Sequence, residues 1–96
     1  MRVIVSDDAE ADIEDIADYI AQDSPRNARK YATSLRRKIR SLGRFPRIHP
    51  LRNDVLPGMR VAVHGNYLIL YAVGAKAVDV VRVVHGAMDL AGVAKP

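Results

Sequence analysis

Arg60, Arg82 and His85 are the residues of this chain whose types and positions could support chemistry on a nucleic acid. Two arginines on a shared face could hold a phosphate. His85 or His64 could then move a proton, which is sufficient for metal-free RNA cleavage by the neighbouring 2′-hydroxyl. Arg82 and His85 lie three residues apart in VVRVVHGAMDL (80–90), so a regular strand points them to opposite faces unless it ends or bulges between them. The alternative for His85 is a structural or solvated residue at a strand end.

The sequence offers no comparable arrangement for a metal or a cofactor. There is no cysteine, and His49, His64 and His85 have no carboxylates at ligand spacing. The glycines fall at turns, and the serines lie in or beside helices rather than on a nucleophile elbow. We therefore expect no metal site and no cofactor.

Local signals predict the elements that position these side chains. RVIV (2–5) predicts a strand, and Ser6 and Ser24 are N-cap candidates for two helices, the second of which Gly43 ends as a C′ residue. After a proline-rich connection (44–58), which we expect either to pack on the body or to take part in binding, MRVAV, YLILYAV and VDVVRVV predict three strands. Their short separations require antiparallel neighbours, and YLILYAV is apolar on both faces, which favours a central position.

These elements predict a single α+β domain over residues 1–96 with the order β-α-α-β-β-β. We expect the N-terminal helical hairpin to pack on one face of a small, curved antiparallel sheet.

Charge is divided sharply between the two predicted helices. Eight of the eleven acidic residues lie between Asp7 and Asp23, and ten of the fifteen basic residues lie between Arg26 and Arg52. Two explanations are compatible with this division: the two helices complement each other in charge, and the basic helix meets an acidic partner, which could be a nucleic acid or a protein segment. The basic side chains form two rows, Arg29, Arg36 and Arg40 on one side and Arg26, Lys30, Arg37 and Arg44 on the other.

The sequence predicts a cytoplasmic protein without a membrane association. The N-terminal residues turn acidic too soon for a signal peptide, and no apolar run approaches the roughly 20 residues that a membrane span needs.

VSDDAEADIEDIADYIAQDSPRNARKYATSLRRKIRSLGRFP resembles the helical hairpin of ParE-type toxins in the RelE/ParE superfamily of toxin–antitoxin modules, and MRVAVHGNYLILYAV and VVRVVHGAMDL are similar to the matching sheet and tail. The resemblance implies the toxin of a type II system, which inhibits DNA gyrase without chemistry of its own and is neutralised by a cognate antitoxin. It also implies that the toxin–antitoxin complex binds operator DNA through the antitoxin. The implied antitoxin-binding residues are Arg29, Arg36, Arg40, Tyr31 and Leu35. The implied target-binding residues are Arg60, Arg82, His85, Met88 and Asp89.

The RelE branch of the same superfamily provides the alternative, a ribosome-dependent mRNA endonuclease using Arg60, Arg82 and His85. Downstream of His85 the chain has no aromatic residue and no further histidine, and the 44–58 connection has no Lys or Glu. His49 is the only candidate base in that connection. These departures favour a ParE-type inhibitor over a nuclease. A third possibility is a member that has lost toxicity and serves only in repression.

Overall fold

The two helices precede most of the sheet, in the predicted β-α-α-β-β-β order. The structure, a computed structural model, describes residues 1–88 and 90. The elements are β1 (Arg2–Val5), α1 (Asp7–Ala21), α2 (Pro25–Ser41), β2 (Met59–His64), β3 (Tyr67–Val73) and β4 (Ala77–His85). In the described residues, no helix has both the length and the apolar composition needed to cross a bilayer.

The helices begin at the predicted serine caps. The Ser6 hydroxyl accepts a hydrogen bond from the Ala9 N–H at 3.0 Å, and Ser24 accepts one from the Asn27 N–H at 3.1 Å. Each serine therefore satisfies one of the free amides in the first turn of its helix. Ser6 also donates to the Val81 carbonyl oxygen at 2.8 Å, so the start of α1 is tied to β4.

Gly43 follows the end of α2 as predicted, but it does not adopt a left-handed backbone. Positive φ values occur among the described glycines only at Gly58 and Gly65. A Cβ at position 43 would collide with the Met1 carbonyl oxygen and press against Val3 Cγ2. The glycine is therefore required by the close approach of the N-terminal strand rather than by the helix end.

The sheet has the strand order β1-β4-β3-β2 and is mixed rather than wholly antiparallel. The prediction of antiparallel neighbours holds for β2, β3 and β4, and β3 lies between the other two. It is wrong for β1, which pairs in parallel with β4 from Arg2 opposite Ala77 to Val5 opposite Val80. No short turn constrains β1, because both helices and a long connection separate it from β2.

Apolar side chains fill both sides of the sheet. On the helix side, Leu35 and Ile39 of α2 pack with a cluster that includes Ile69 and Tyr71 of β3. On the other side, Leu70 packs with a second cluster that includes Val55 from the 44–58 connection. Burying one such side chain contributes about 1.5–3 kcal/mol, so β3 is stabilised from both faces.

The 44–58 connection packs on the body of the protein. The Arg52 amide donates to the Met59 carbonyl oxygen at 2.6 Å, and an isolated bridge joins Leu51 to Arg60. Val55 is buried under the sheet. The connection therefore covers part of β2 and of the sheet face that the helices leave open.

Candidate functional site

Arg82 is held by a carboxylate of α1. Its Nε and Nη2 donate to the two carboxylate oxygens of Asp12 at 2.7 and 3.0 Å. The hydrogen bond to Asp12 raises the pKa of Arg82, which keeps the guanidinium charged. Arg82 is therefore already neutralised by a bidentate partner within the fold, which weakens its case as a phosphate ligand.

Asp12 also completes the edge of β4. β1 pairs with β4 only as far as Val80. Beyond that point the Val83 N–H donates to Asp12 Oδ2 at 2.9 Å. We name the Asp12 carboxylate, the Arg82 guanidinium and the Val83 amide the Asp12 clasp. The clasp joins α1 to β4 where the strand pairing has ended.

Arg60 binds the 44–58 connection rather than a helix. Its Nη1 donates to the His49 carbonyl oxygen at 2.6 Å and to the Arg47 carbonyl oxygen at 3.3 Å. A cation that binds two carbonyls of the 44–58 connection holds that segment against β2. Arg60 is half-buried in this position.

The register of the sheet places Arg60 and His85, which pair with Tyr71 and Tyr67, on the helix side and sets Arg82 apart from them. Arg60 lies opposite Tyr71, whose ring packs on the helix side, whereas Arg82 lies opposite Leu70, which packs on the other side. Val81 is an extra residue in β4, because Leu70 pairs with Arg82 and Tyr71 with Val80. This bulge precedes Arg82, so it does not bring Arg82 and His85 to one face. The arrangement that phosphate binding and proton transfer require is not assembled.

His85 instead borders a cleft between the helical hairpin and the sheet. The cleft has a volume of about 560 Å³ and is lined by Tyr19, Ile20, Tyr31, Gly65, Asn66, Tyr67 and His85; we name it the tyrosine cleft. The rings of Tyr31 and Tyr67 are 5.6 Å apart, and those of Tyr67 and His85 are 5.4 Å apart. Such aromatic walls provide rigid contact area for an apolar group of a partner.

Tyr31 is fixed in the wall of this cleft. Its hydroxyl donates to the His64 carbonyl oxygen at 2.6 Å. Burial, with a smaller contribution from Tyr67, raises the pKa of Tyr31 to about 12, so its phenol stays neutral. Tyr31 belongs to α2 and Tyr67 to β3, so their contact depends on the tertiary fold.

A family model described as "ParE toxin of type II toxin-antitoxin system, parDE" matches residues 3–90. The chain belongs to this family.

A solved structure supports the fold assignment. The chain is similar to a protein of the "Chromosomal ParDE TA system from P. aeruginosa", with a TM-score of 0.78 and 20% sequence identity. The match covers 88% of this chain and 95% of that one. A comparison with curated proteins found no match. The assignment to the ParE family therefore rests on the family model, and the structural similarity supports the fold.

The residues that the ParE resemblance implied for the antitoxin are distributed unevenly. Arg29 and Arg40 are exposed, whereas Arg36 donates to Glu10 at 2.9 Å. Tyr31 is half-buried in the tyrosine cleft. Leu35 is 0% exposed, so it packs in the core and has no surface to offer a partner. An apolar stripe on one helix does not reveal which of its members stay accessible.

The residues that the resemblance implied for the target also differ in accessibility. Arg60 and Arg82 are committed to internal partners, as described above. His85 is exposed, and its Nδ1 accepts a hydrogen bond from the Ala87 N–H at 3.1 Å. Met88 is 52% exposed. Asp89 lies outside the described residues. No group of three or more metal-ligating side chains occurs in the part of the chain that the structure describes.

Replacing Arg60 tests its role in holding the connection. We expect Arg60→Gln to accelerate amide hydrogen exchange across residues 46–56 by about fivefold or more, because loss of a charged hydrogen bond costs about 1.5–3 kcal/mol. Exchange would be followed by mass spectrometry. Arg47→Gln is the matched control, since its side chain is exposed and its carbonyl remains in place. Equal protection in both variants would contradict the proposed role.

The stability of the fold should depend on pH through His64 and His49. Burial, with Lys38 adding repulsion, lowers the pKa of both imidazoles. Such a group binds protons more readily in the unfolded chain. Its contribution to stability is therefore complete above about pH 6.5 and is lost as the pH falls through the lowered value.

We therefore expect the Tm to fall between about pH 7.5 and pH 5, and to fall less in His64→Gln than in the parent. Thermal unfolding followed by circular dichroism at each pH measures the difference. His85→Gln, at an exposed position, is the comparison variant. A drop of the same size in His64→Gln and in the parent would exclude His64 as a source of the pH dependence.

Proposed function

We propose that this member of the ParE family inhibits DNA gyrase by binding it, without cutting any nucleic acid, and that a cognate antitoxin neutralises it. The observation that carries the proposal is the commitment of both sheet arginines to internal partners. Arg82 is held by Asp12 at 2.7 Å, and Arg60 holds the 44–58 connection. Inhibition through surface contact needs neither side chain free, whereas a nuclease of the RelE type does.

Exposed groups at the end of β4 support a target contact. His85 ends β4, and the Met88 N–H in the turn that follows donates to the His85 carbonyl oxygen at 3.0 Å. Both residues are exposed. Arg60 and Arg82, which the resemblance assigned to the target, would act through the elements they hold, the 44–58 connection and α1. The protein would act in the cytoplasm, where gyrase and its DNA substrate are found.

The tyrosine cleft supports antitoxin binding beside the two helices. Extended antitoxin segments need apolar anchor sites, and the cleft offers three tyrosine rings next to the hairpin. Arg29 and Arg40 are exposed on α2 and would meet acidic antitoxin side chains. Arg36 would exchange Glu10 for an antitoxin carboxylate. In the complex, operator DNA would be bound through the antitoxin.

The outer edge of β2 offers a second attachment for the same segment. The backbone of Met59 bonds away from β3, to Leu56 and Arg52. Because strand residues alternate in direction, Val61 and Val63 present their N–H and C=O groups the same way. Val61 adjoins the isolated bridge between Leu51 and Arg60, so the 44–58 connection covers that part of the edge. Val63 has no backbone partner on that side among the described residues and is 65% exposed. An antitoxin strand could pair there.

A gyrase assay tests the proposal. Incubation of the purified chain with gyrase, ATP and relaxed plasmid should block supercoiling and release linear DNA after protease treatment. Met88→Glu should raise the concentration needed by about tenfold or more, because it places a charge in the proposed contact. Ile48→Glu is the matched control, since Ile48 is an exposed apolar residue on the 44–58 connection.

A translation extract provides the opposing arm of this test. Messages should stay intact in the presence of the chain. Cleaved messages that disappear with His85→Ala, together with unaffected gyrase, would overturn the proposal in favour of the endonuclease.

A further inference from the structure

The outer row of α2, formed by Arg26, Lys30, Arg37 and Arg44, has no internal partner in the described part of the chain. The ion pairs found there are Arg36–Glu10, Arg52–Asp54 and Arg82–Asp12. Only the first of these joins the acidic helix to the basic one. The two helices therefore complement each other through this one ion pair, and the outer row has none among the described residues.

The outer row faces directly away from the core. Arg26 and Arg37 are each two residues from a buried residue, Ala28 and Leu35 respectively, which places them about 200° around the helix. All four side chains of the row are exposed. A helix rise of about 1.5 Å per residue gives about 16 Å between Arg26 and Arg37, and Arg44 extends the row past the end of α2.

Two shallow niches lie along this face and share Arg37. Each contains three cations. The first is lined by Arg29, Lys30, Thr33, Ser34 and Arg37, and the second by Arg37, Arg40, Ser41, Arg44 and Phe45. A guanidinium matches two phosphate oxygens at once. The Ser41 hydroxyl already donates to the Lys38 carbonyl oxygen and the Ser34 hydroxyl is bonded to His64 Nε2, so the cations supply the donors. Each niche therefore fits a phosphate group.

The shape of this surface favours a nucleic acid over an acidic peptide. It runs along an exposed helix face, and Phe45 at its end is the only aromatic or large aliphatic residue in the two niches. A peptide would need apolar anchors, because exposed ion pairs alone contribute about 0–1 kcal/mol each. Duplex DNA needs none, because a rigid row of cations releases the counterions condensed on its closely spaced phosphates.

We propose that the outer row of α2 binds the phosphate backbone of double-stranded DNA without sequence preference. The acidic surface of α1 would turn away from the polyanion, so that α2 is presented to it. This contact is additional to the proposed binding of gyrase, and its niches share Arg29 and Arg40 with the proposed antitoxin surface. The chain would then bind DNA directly.

Binding is tested with the full chain and a labelled duplex of about 30 base pairs, in two unrelated sequences, by fluorescence anisotropy over a range of salt concentrations. We expect a Kd of about 10⁻⁴ to 10⁻⁶ M near physiological salt, equal for both sequences. The triple variant Lys30→Gln, Arg37→Gln and Arg44→Gln should bind at least about tenfold more weakly. It should also flatten the slope of log K against log salt by about 2.7, or 0.9 for each lost contact.

The control is Arg2→Gln, Arg52→Gln and Lys76→Gln, which removes the same net charge from exposed or partly exposed positions outside α2. It should retain most of the affinity and slope. Equal weakening of both triples would reduce the effect to net charge and overturn the proposal. Absence of DNA binding would also overturn it, as would row-dependent binding of polyglutamate in preference to DNA, which would assign the row to an acidic protein. Each result is independent of gyrase inhibition, so this inference and the proposed function can fail separately.

Discussion

The Asp12 clasp is the constraint on which the arrangement of this protein depends. β1 is too short to cover β4 beyond Val80, and one carboxylate of α1 takes over at that point by binding the Arg82 side chain and the Val83 amide. Charge-assisted hydrogen bonds of this kind contribute about 1.5–3 kcal/mol each. Because the clasp fixes α1 on the sheet and α2 follows after a tight turn, it also sets which face of the basic helix is presented to solvent.

Because of the clasp, Arg82 of the sheet is bound within the fold. In a nuclease of this general shape, arginines on the sheet must be free to meet a phosphate. Here Arg82 secures a helix and Arg60 secures the 44–58 connection, so both serve as scaffold. The accessible features are surfaces: the tyrosine cleft, the open edge of β2 and the outer row of α2. Each of these surfaces is accessible to a macromolecule, as the proposed function requires.

Local signals in the sequence predicted the elements well, because caps and apolar periodicity act over a few residues. Ser6 and Ser24 cap the helices as expected, and the short turns fixed three antiparallel strands. Nonlocal pairing could not be predicted in the same way. The parallel partner of β1 and the carboxylate that binds Arg82 lie about 70 residues away in the chain. Gly43 lies where the sequence predicted it. The reason that this position must be a glycine is the close approach of the N-terminal strand, which is distant in the chain.

Site residues were the hardest to predict, because one apolar or charged stripe can serve the core, an internal pair or a partner. Leu35 belongs to the core, and Arg36 to an ion pair with Glu10.

A double-mutant cycle on unfolding free energy, with Asp12→Asn and Arg82→Gln measured in urea, tests the central claim most directly. A clasp as described predicts a coupling of about 1–3 kcal/mol between the two sites. Coupling within about 0.5 kcal/mol of zero would mean that Arg82 is free for other ligands, and would contradict the account.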